Sequence, residues 1–227
     1  VTTVCIHQPD FIPYLGFFHR LLETDVFVIL DDAQFIKDGW HHRDQIKSTA
    51  GKAWITLPIN RDDWFKNINE VRLVQPQEWK AKHLNLLKEN YRKSPHFGEV
   101  FRQIEGIYAK NHERLIDINL DFLNFLFACF DLHPKPLLSS MMGVPGKSTD
   151  RLVQMVSQLC ADRYLTGTGS RAYLDESKFA ERGIQVVWQN FNPPAYQQLH
   201  GDFIPHLSSL DALFNLGPQG ARKLLES

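Results

Sequence analysis

The chain has 227 residues, enough for one large domain, or one domain with a helical insert, that buries its core without disulfides or structural metal. Its 25 basic and 26 acidic residues leave a formal charge of −1, which excludes a global field for DNA or a membrane surface. Three cysteines with no C-x-x-C spacing argue for a reducing compartment and against a disulfide framework.

Residues 1–6 alternate and are β-branched, so they read as a strand ending at His7. Pro9 and Pro13 hold the next residues out of helix, and residues 14–23 then carry apolar side chains at helical spacing. Residues 26–30 form a continuous apolar run of the central parallel type. Strand, helix and buried strand make a βαβ unit, which predicts His7–Gln8 and residues 31–34 at neighbouring strand ends facing one crevice. Beyond Trp40 the spacing predicts a hairpin, with residues 49–52 as its turn and residues 54–59 as its second strand. A further strand is expected over 68–74, followed by helices over 77–92, 95–110 and 113–131.

A strand is expected over 136–140, then a helix over 148–160 capped by Ser148 or Thr149. Strands over 164–166 and 184–188 follow, with the end of a helix at 179–182 between them. Two short helices broken at Gly217–Pro218 close the pattern. The expected fold is α/β, with a Rossmann-like, mainly parallel sheet, a β-hairpin extension and an α-helical insert. Its parts are an N-terminal half (1–75), an insert or lid (76–132) and a C-terminal half (133–227), all one structural domain. The run over 115–132 is interrupted by Asp117, Asn119, Asp121 and Asn124, so it is a buried helix and not a membrane span. The opening VTTVCIHQP has no basic n-region, and the expected location is cytoplasmic.

Four polar constellations stand out. His7–Gln8–Pro9 at the first strand end suits ligand contacts, or else caps the strand. DDAQF with KDGWHHRDQIK gathers Asp31, Asp32, Gln34, Lys37, Asp38, His41, His42, Arg43, Asp44 and Lys47. Carboxylates there could act as general base, and Arg43 and Lys47 could meet phosphate from one face of an extended strand. Phe35 and Trp40 would be the walls of that pocket; the plainer alternative is a solvated edge strand. Adjacent His41 and His42 would point to opposite faces of a strand, so no metal site is expected. In GTGSRAYLD, Gly167 and Gly169 allow close backbone approach, or simply a tight turn. GVPGKSTDR lacks the first glycine of an ATP-binding loop, having Met141 there, which leaves Lys147 as an anion contact at a helix start. The cysteines read as core, and no G-x-S-x-G elbow exists.

IHQPDFIPYLGFFHRLLETDVFVILDDAQFIKDGWHHRDQIK, GKAWITLPI, RYLTGTGSRAYLD and HLSSLDALFNLGP together resemble the WbqC-like family. That resemblance favours Gln8, Pro9, Pro13, Gly16, Asp25, Asp31, Gln34, Trp40, Arg43, Lys47, Gly167, Gly169, Tyr173 and Leu174. It departs at His42 and Asp44, where the family has Asn beside Arg43. It implies a bacterial protein of O-antigen, lipopolysaccharide or other surface-polysaccharide biosynthesis. The expectation is a transferase that acylates or aminoacylates the amine of a nucleotide-linked amino sugar. His7, Asp31 or His42 would be general base, while Arg43, Lys47 and Arg171 hold the diphosphate or a carrier phosphate. Gln8, Asp32, Gln34, Lys37, Trp40, Gly167, Gly169 and Tyr173 would complete the binding surface. No cofactor is firmly implied; the donor would be acyl-CoA, an acyl phosphate or a charged tRNA. A nucleotidyl- or adenylyl-transferring enzyme stays open, although position 14–16 is Tyr-Leu-Gly and His19 falls a turn later than that class requires. So does a non-catalytic sugar-nucleotide binding protein.

Overall fold

A computed structural model describes residues 1–226. In chain order the strands are β1 (Thr3–His7), β2 (Val26–Ile29), β3 (Arg43–Ser48), β4 (Gly51–Thr56), β5 (Leu137–Leu138), β6 (Arg163–Thr166) and β7 (Gln185–Trp188). The α-helices are α1 (Leu15–Leu21), α2 (Trp79–Tyr91), α3 (Phe97–Ala109), α4 (Leu115–Cys129), α5 (Ser139–Met142), α6 (Ser148–Gln158), α7 (Glu176–Ala180) and α8 (Ser209–Leu225).

Five strands form one sheet in the order β5-β2-β1-β6-β7, and every neighbouring pair is parallel. The fold is therefore α/β, as expected. The β-branched run of β1 sits at the centre because both its faces are buried: Val4, Cys5 and Ile6 are at most 5 % exposed. Cys5, Phe27 and Ile29 face α1, α4, α8 and the hairpin; Val4, Ile6 and Val28 face α6 and α7. On the first face Phe18 of α1 and Phe27 of β2 meet Phe127 of α4 at 5.9 and 6.4 Å. The helices of residues 76–132 thus share one continuous core with the sheet.

Several expected boundaries change. The hairpin pairs Ser48 with Gly51, so its turn is the dipeptide Thr49–Ala50 and Gly51, at φ 103°, already belongs to β4. The strand expected over 68–74 is a 3₁₀ turn, Ile68–Glu70, followed by isolated bridges at Arg72 and Leu73. The Glu70 carboxylate accepts from Asn67 N at 3.2 Å and folds the chain back on itself. Ser139 and Ser140 leave the strand after Leu138 to start α5. Helix α6 begins after Lys147, without a side-chain cap from Ser148 or Thr149.

Candidate active site

The sheet order places the reversal of winding between β1 and β6, because the chain moves outward from β1 to β2 and β5 before crossing to β6 and β7 on the other side. Crevices at such a reversal, outside the carboxyl ends of the strands, are where open parallel sheets bind ligands. His7 ends β1, and Gly167 follows Thr166 at the end of β6. His7 pairs with Ile29, so residues 31–34 do lie beside it.

His7 keeps 30 % of its side chain exposed, packs edge-on against Phe17 of α1, and places Nδ1 2.9 Å from Gln8 O. A carbonyl oxygen only accepts, so Nδ1 carries the proton and Nε2 carries the lone pair. Burial, with Arg20 and His41 adding like charge, pushes its pKa down to about 3. Asp10 Oδ2 lies 3.6 Å from Nδ1, and burial pushes that carboxyl up to about 7 against the pull of Arg20. The result is a neutral imidazole, oriented by the Gln8 carbonyl, with a carboxyl beside it.

Helix α4 sets the loop that carries this pair. Buried Asn119 donates through Nδ2 to Pro9 O and to His41 O, both at 2.7 Å, tying the loop after β1 to the loop before β3. Phe11 N adds a bond to Trp40 O at 3.0 Å.

Other expected residues have different tasks. The Asp31 carboxylate accepts from Asn69 Nδ2, Ser140 N and Ser140 Oγ at 2.6–3.2 Å, with Ser139 Oγ 3.0 Å away, so it fastens α5 to β2. Asp32 forms a two-pronged pair with Arg151 at 2.9 and 2.6 Å and accepts from Ser139 Oγ at 2.5 Å. Burial works against its charge, but Arg151 and Ser139 outweigh it and hold the carboxyl below the usual range. Arg43 is held by Asp38, with Nη1 2.8 Å from Oδ1, and lies over the Trp54 ring at 4.3 Å. Lys47 is 1 % exposed, its ammonium enclosed by Gln198 Oε1 and the carbonyls of Gly201 and Asp202. Arg43 and Lys47 do share one face of β3, but with Lys47 enclosed they present no open basic strip.

His41 and His42 precede β3, and both rings pack on Phe35, at 4.9 and 5.1 Å, so strand alternation does not separate them. Burial lowers both, His41 to about 4, and it is His41 whose charge bears on His7. Gln34 is exposed and bridges to Asn67. Lys37 covers the Trp64 ring, and exposed Trp40 pairs with Trp54 at 5.7 Å. Gly167, Gly169, Arg171 and Tyr173 stay together on the turn after β6, with Arg171 over the Trp188 ring at 5.0 Å. Among the described residues no cluster of three or more His, Cys, Asp or Glu could hold a metal. A groove of about 690 Å³ lies between residues 58–61 and 72–75; its Arg72 is committed to Asp63.

Sequence reasoning passed over Asp10, Arg20, Asn119, Ser139, Arg151 and Gln189. Arg20 left a signal: it sits with Phe17 and Leu21 on the stripe of α1 that faces the core, where an apolar residue belongs.

Compared with known proteins, the chain matches the WbqC-like protein family over residues 8–223. It belongs to that family. The uncharacterized protein Rv1507c of Mycobacterium tuberculosis is 32 % identical over 218 residues, covering 95 % of this chain and 94 % of its own length. No solved structure matches. Among the described residues no helix is long and apolar enough to cross a membrane.

Proposed function

We propose that this WbqC-like protein is a transferase of surface-polysaccharide biosynthesis that moves an acyl or aminoacyl group onto the amine of a nucleotide-linked amino sugar. Family membership supports the pathway, and one observation carries the chemistry. A neutral, part-exposed His7 stands at the reversal of the sheet with Nδ1 tied to a carbonyl and Nε2 left as acceptor. A sugar amine must shed a proton as it attacks. Here Nε2 takes that proton while the nitrogen–carbon bond forms and the donor's carbon–sulfur or carbon–oxygen bond breaks. The imidazolium then returns the proton to the departing thiolate, phosphate or tRNA oxygen. The donor is an acyl-CoA, an acyl phosphate or a charged tRNA. The Gln8 carbonyl and the Phe17 ring orient the imidazole; Gln8, Gly167, Gly169, Arg171 and Tyr173 line the acceptor's side.

The test is amide formation followed by mass spectrometry, with nucleotide-linked amino sugars offered against each donor class. His7→Gln should lower kcat by about 10²–10⁴-fold with KM within about twofold. Unchanged turnover in that variant removes His7 as base. The strand–His–helix opening at β1 also suits nucleotidyl transfer, which would be favoured by a thermal shift with ATP and none with amino-sugar nucleotides. Binding of those nucleotides without any product would leave a binding protein.

A further inference from the structure

Arg20 lies on the last turn of α1 and is 4 % exposed. Side chains on a helix lean toward its N-terminus, and this one runs back to the carboxyl ends of the central strands. Nη1 donates to Gln189 Oε1, just beyond β7, at 2.9 Å. Its charge reaches His7 and Asp10 beyond β1. A Cβ at Gly167, just beyond β6, would come within 2.7 Å of Nη1. Gly167 has φ −79° and ψ 153°, a conformation any residue adopts. The glycine is therefore there for room: its missing side chain lets the guanidinium touch the turn.

A buried guanidinium ordinarily faces a carboxylate, because an unpaired charge away from water costs several kcal/mol. Arg20 has no ion pair within bonding distance among the described residues and its Nε has no hydrogen-bond partner; the guanidinium meets the neutral oxygen of Gln189, the Cys5 thiol and the Phe17 ring at 5.8 Å, with the Asp10 carboxyl near enough to feel its charge. Gln189 is itself clamped, donating through Nε2 to Gly16 O at 2.7 Å with His19 Nδ1 3.0 Å away. The cation is thus fixed in place with no carboxylate bonded to it. Beside it the turn carries the Ser170 and Thr166 hydroxyls, 2.9 Å apart.

We propose that Arg20, with the turn Gly167–Ser170, is the anion subsite that takes the diphosphate of the nucleotide-linked sugar, the task expected of Arg43, Lys47 and Arg171. This rests on the acyl-transfer reading for the identity of the ligand, but not for the presence of an anion site. A planar guanidinium meets two phosphate oxygens at once, and a site of low dielectric strengthens that bond.

The experiment is isothermal titration of the full chain with inorganic pyrophosphate, uridine 5′-diphosphate and uridine. Wild type should bind both anions and bind uridine more weakly. Arg20→Met should weaken both anions by about ten- to a hundredfold and leave uridine unchanged, with Arg20→Lys between. Gly167→Ala should weaken them too, by displacing Nη1. Without anion, Arg20→Met strands the buried Gln189 Oε1 and should melt a few degrees lower than wild type, so anion affinity and not stability decides the assignment. Equal anion affinity in wild type and Arg20→Met overturns the proposal, as does absence of anion binding by wild type. A lower melting temperature in Arg20→Met with anion affinity kept makes the arginine structural. Acyl transfer with KM unchanged in Arg20→Met sinks the subsite and spares the transferase. Anion binding that depends on Arg20, in a protein that acylates no amino sugar, does the reverse.

Discussion

Two neighbouring ionisable groups at the end of β1 are displaced in opposite directions by the same cause, and each leaves its own mark on stability. Asp10 titrates near 7 when folded and near 3.8 when unfolded. Between those values the unfolded chain ionises and the folded one does not, so the stability present below pH 3.8 is lost as pH rises to about 7, at up to about 1.4 kcal/mol per unit. His7 works the other way: its folded value near 3 lies below 6.5, so its stabilising effect is present above 6.5 and lost on acidification toward 3. Subtracting urea-unfolding curves of Asp10→Asn from wild type over pH 4–7 isolates the first effect; parallel curves would mean Asp10 is already ionised. Lys47 makes a separate case. Lys47→Met strands the oxygens of Gln198, Gly201 and Asp202 and should cost about 2–4 kcal/mol in urea while leaving pyrophosphate affinity unchanged. A tenfold loss of that affinity with stability kept would return Lys47 to the substrate.

The elements show which signals in the chain are readable. The βαβ opening was legible because two β-branched runs and two prolines dictate it with little help from elsewhere. The kink in α8 was equally plain from Gly217–Pro218. Gly217 has φ 69° and ψ 177°, a combination open essentially to glycine, and an added Cβ would lie 2.6 Å from the His96 ring. Gly217→Ala should therefore cost about 2–3 kcal/mol, read as a fall of several degrees in melting temperature. Residues 68–74 misled because Ile68, Val71 and Leu73 are all buried, as a strand's would be, yet Glu70 bonds back to Asn67 and turns the chain. Half the candidate site was legible, namely the strand ends at His7 and Gly167. Arg20 left only its place on a core-facing stripe as a signal; what it meets there depends on β6 and β7, more than a hundred residues on.

Across the whole molecule, one apolar cluster joins the sheet, the hairpin and helices α2–α4 and α8. Phe122 of α4 sits inside it, fully buried, edge-on to Phe11 at 5.3 Å and to Tyr108 at 5.5 Å. A shared core predicts one transition, with far-ultraviolet dichroism and tryptophan fluorescence melting together. Phe122→Ala should lower that single transition by about 3–5 kcal/mol. If instead the helices of residues 76–132 melt apart from the sheet, the core is not one cooperative unit.

The central place of β1 also bears on how the protein is made. Its partner on one side, β2, follows within about twenty residues, but its partner on the other begins at Arg163, 160 positions after Thr3. At roughly 5–20 residues per second, a ribosome needs on the order of ten to thirty seconds to supply that second edge. For that interval the nascent chain carries a short, apolar, unpaired strand that can pair with a neighbouring copy. Crowded, fast expression should send more of it to the insoluble fraction than slow, cool expression, and the difference should shrink when a holdase is supplied.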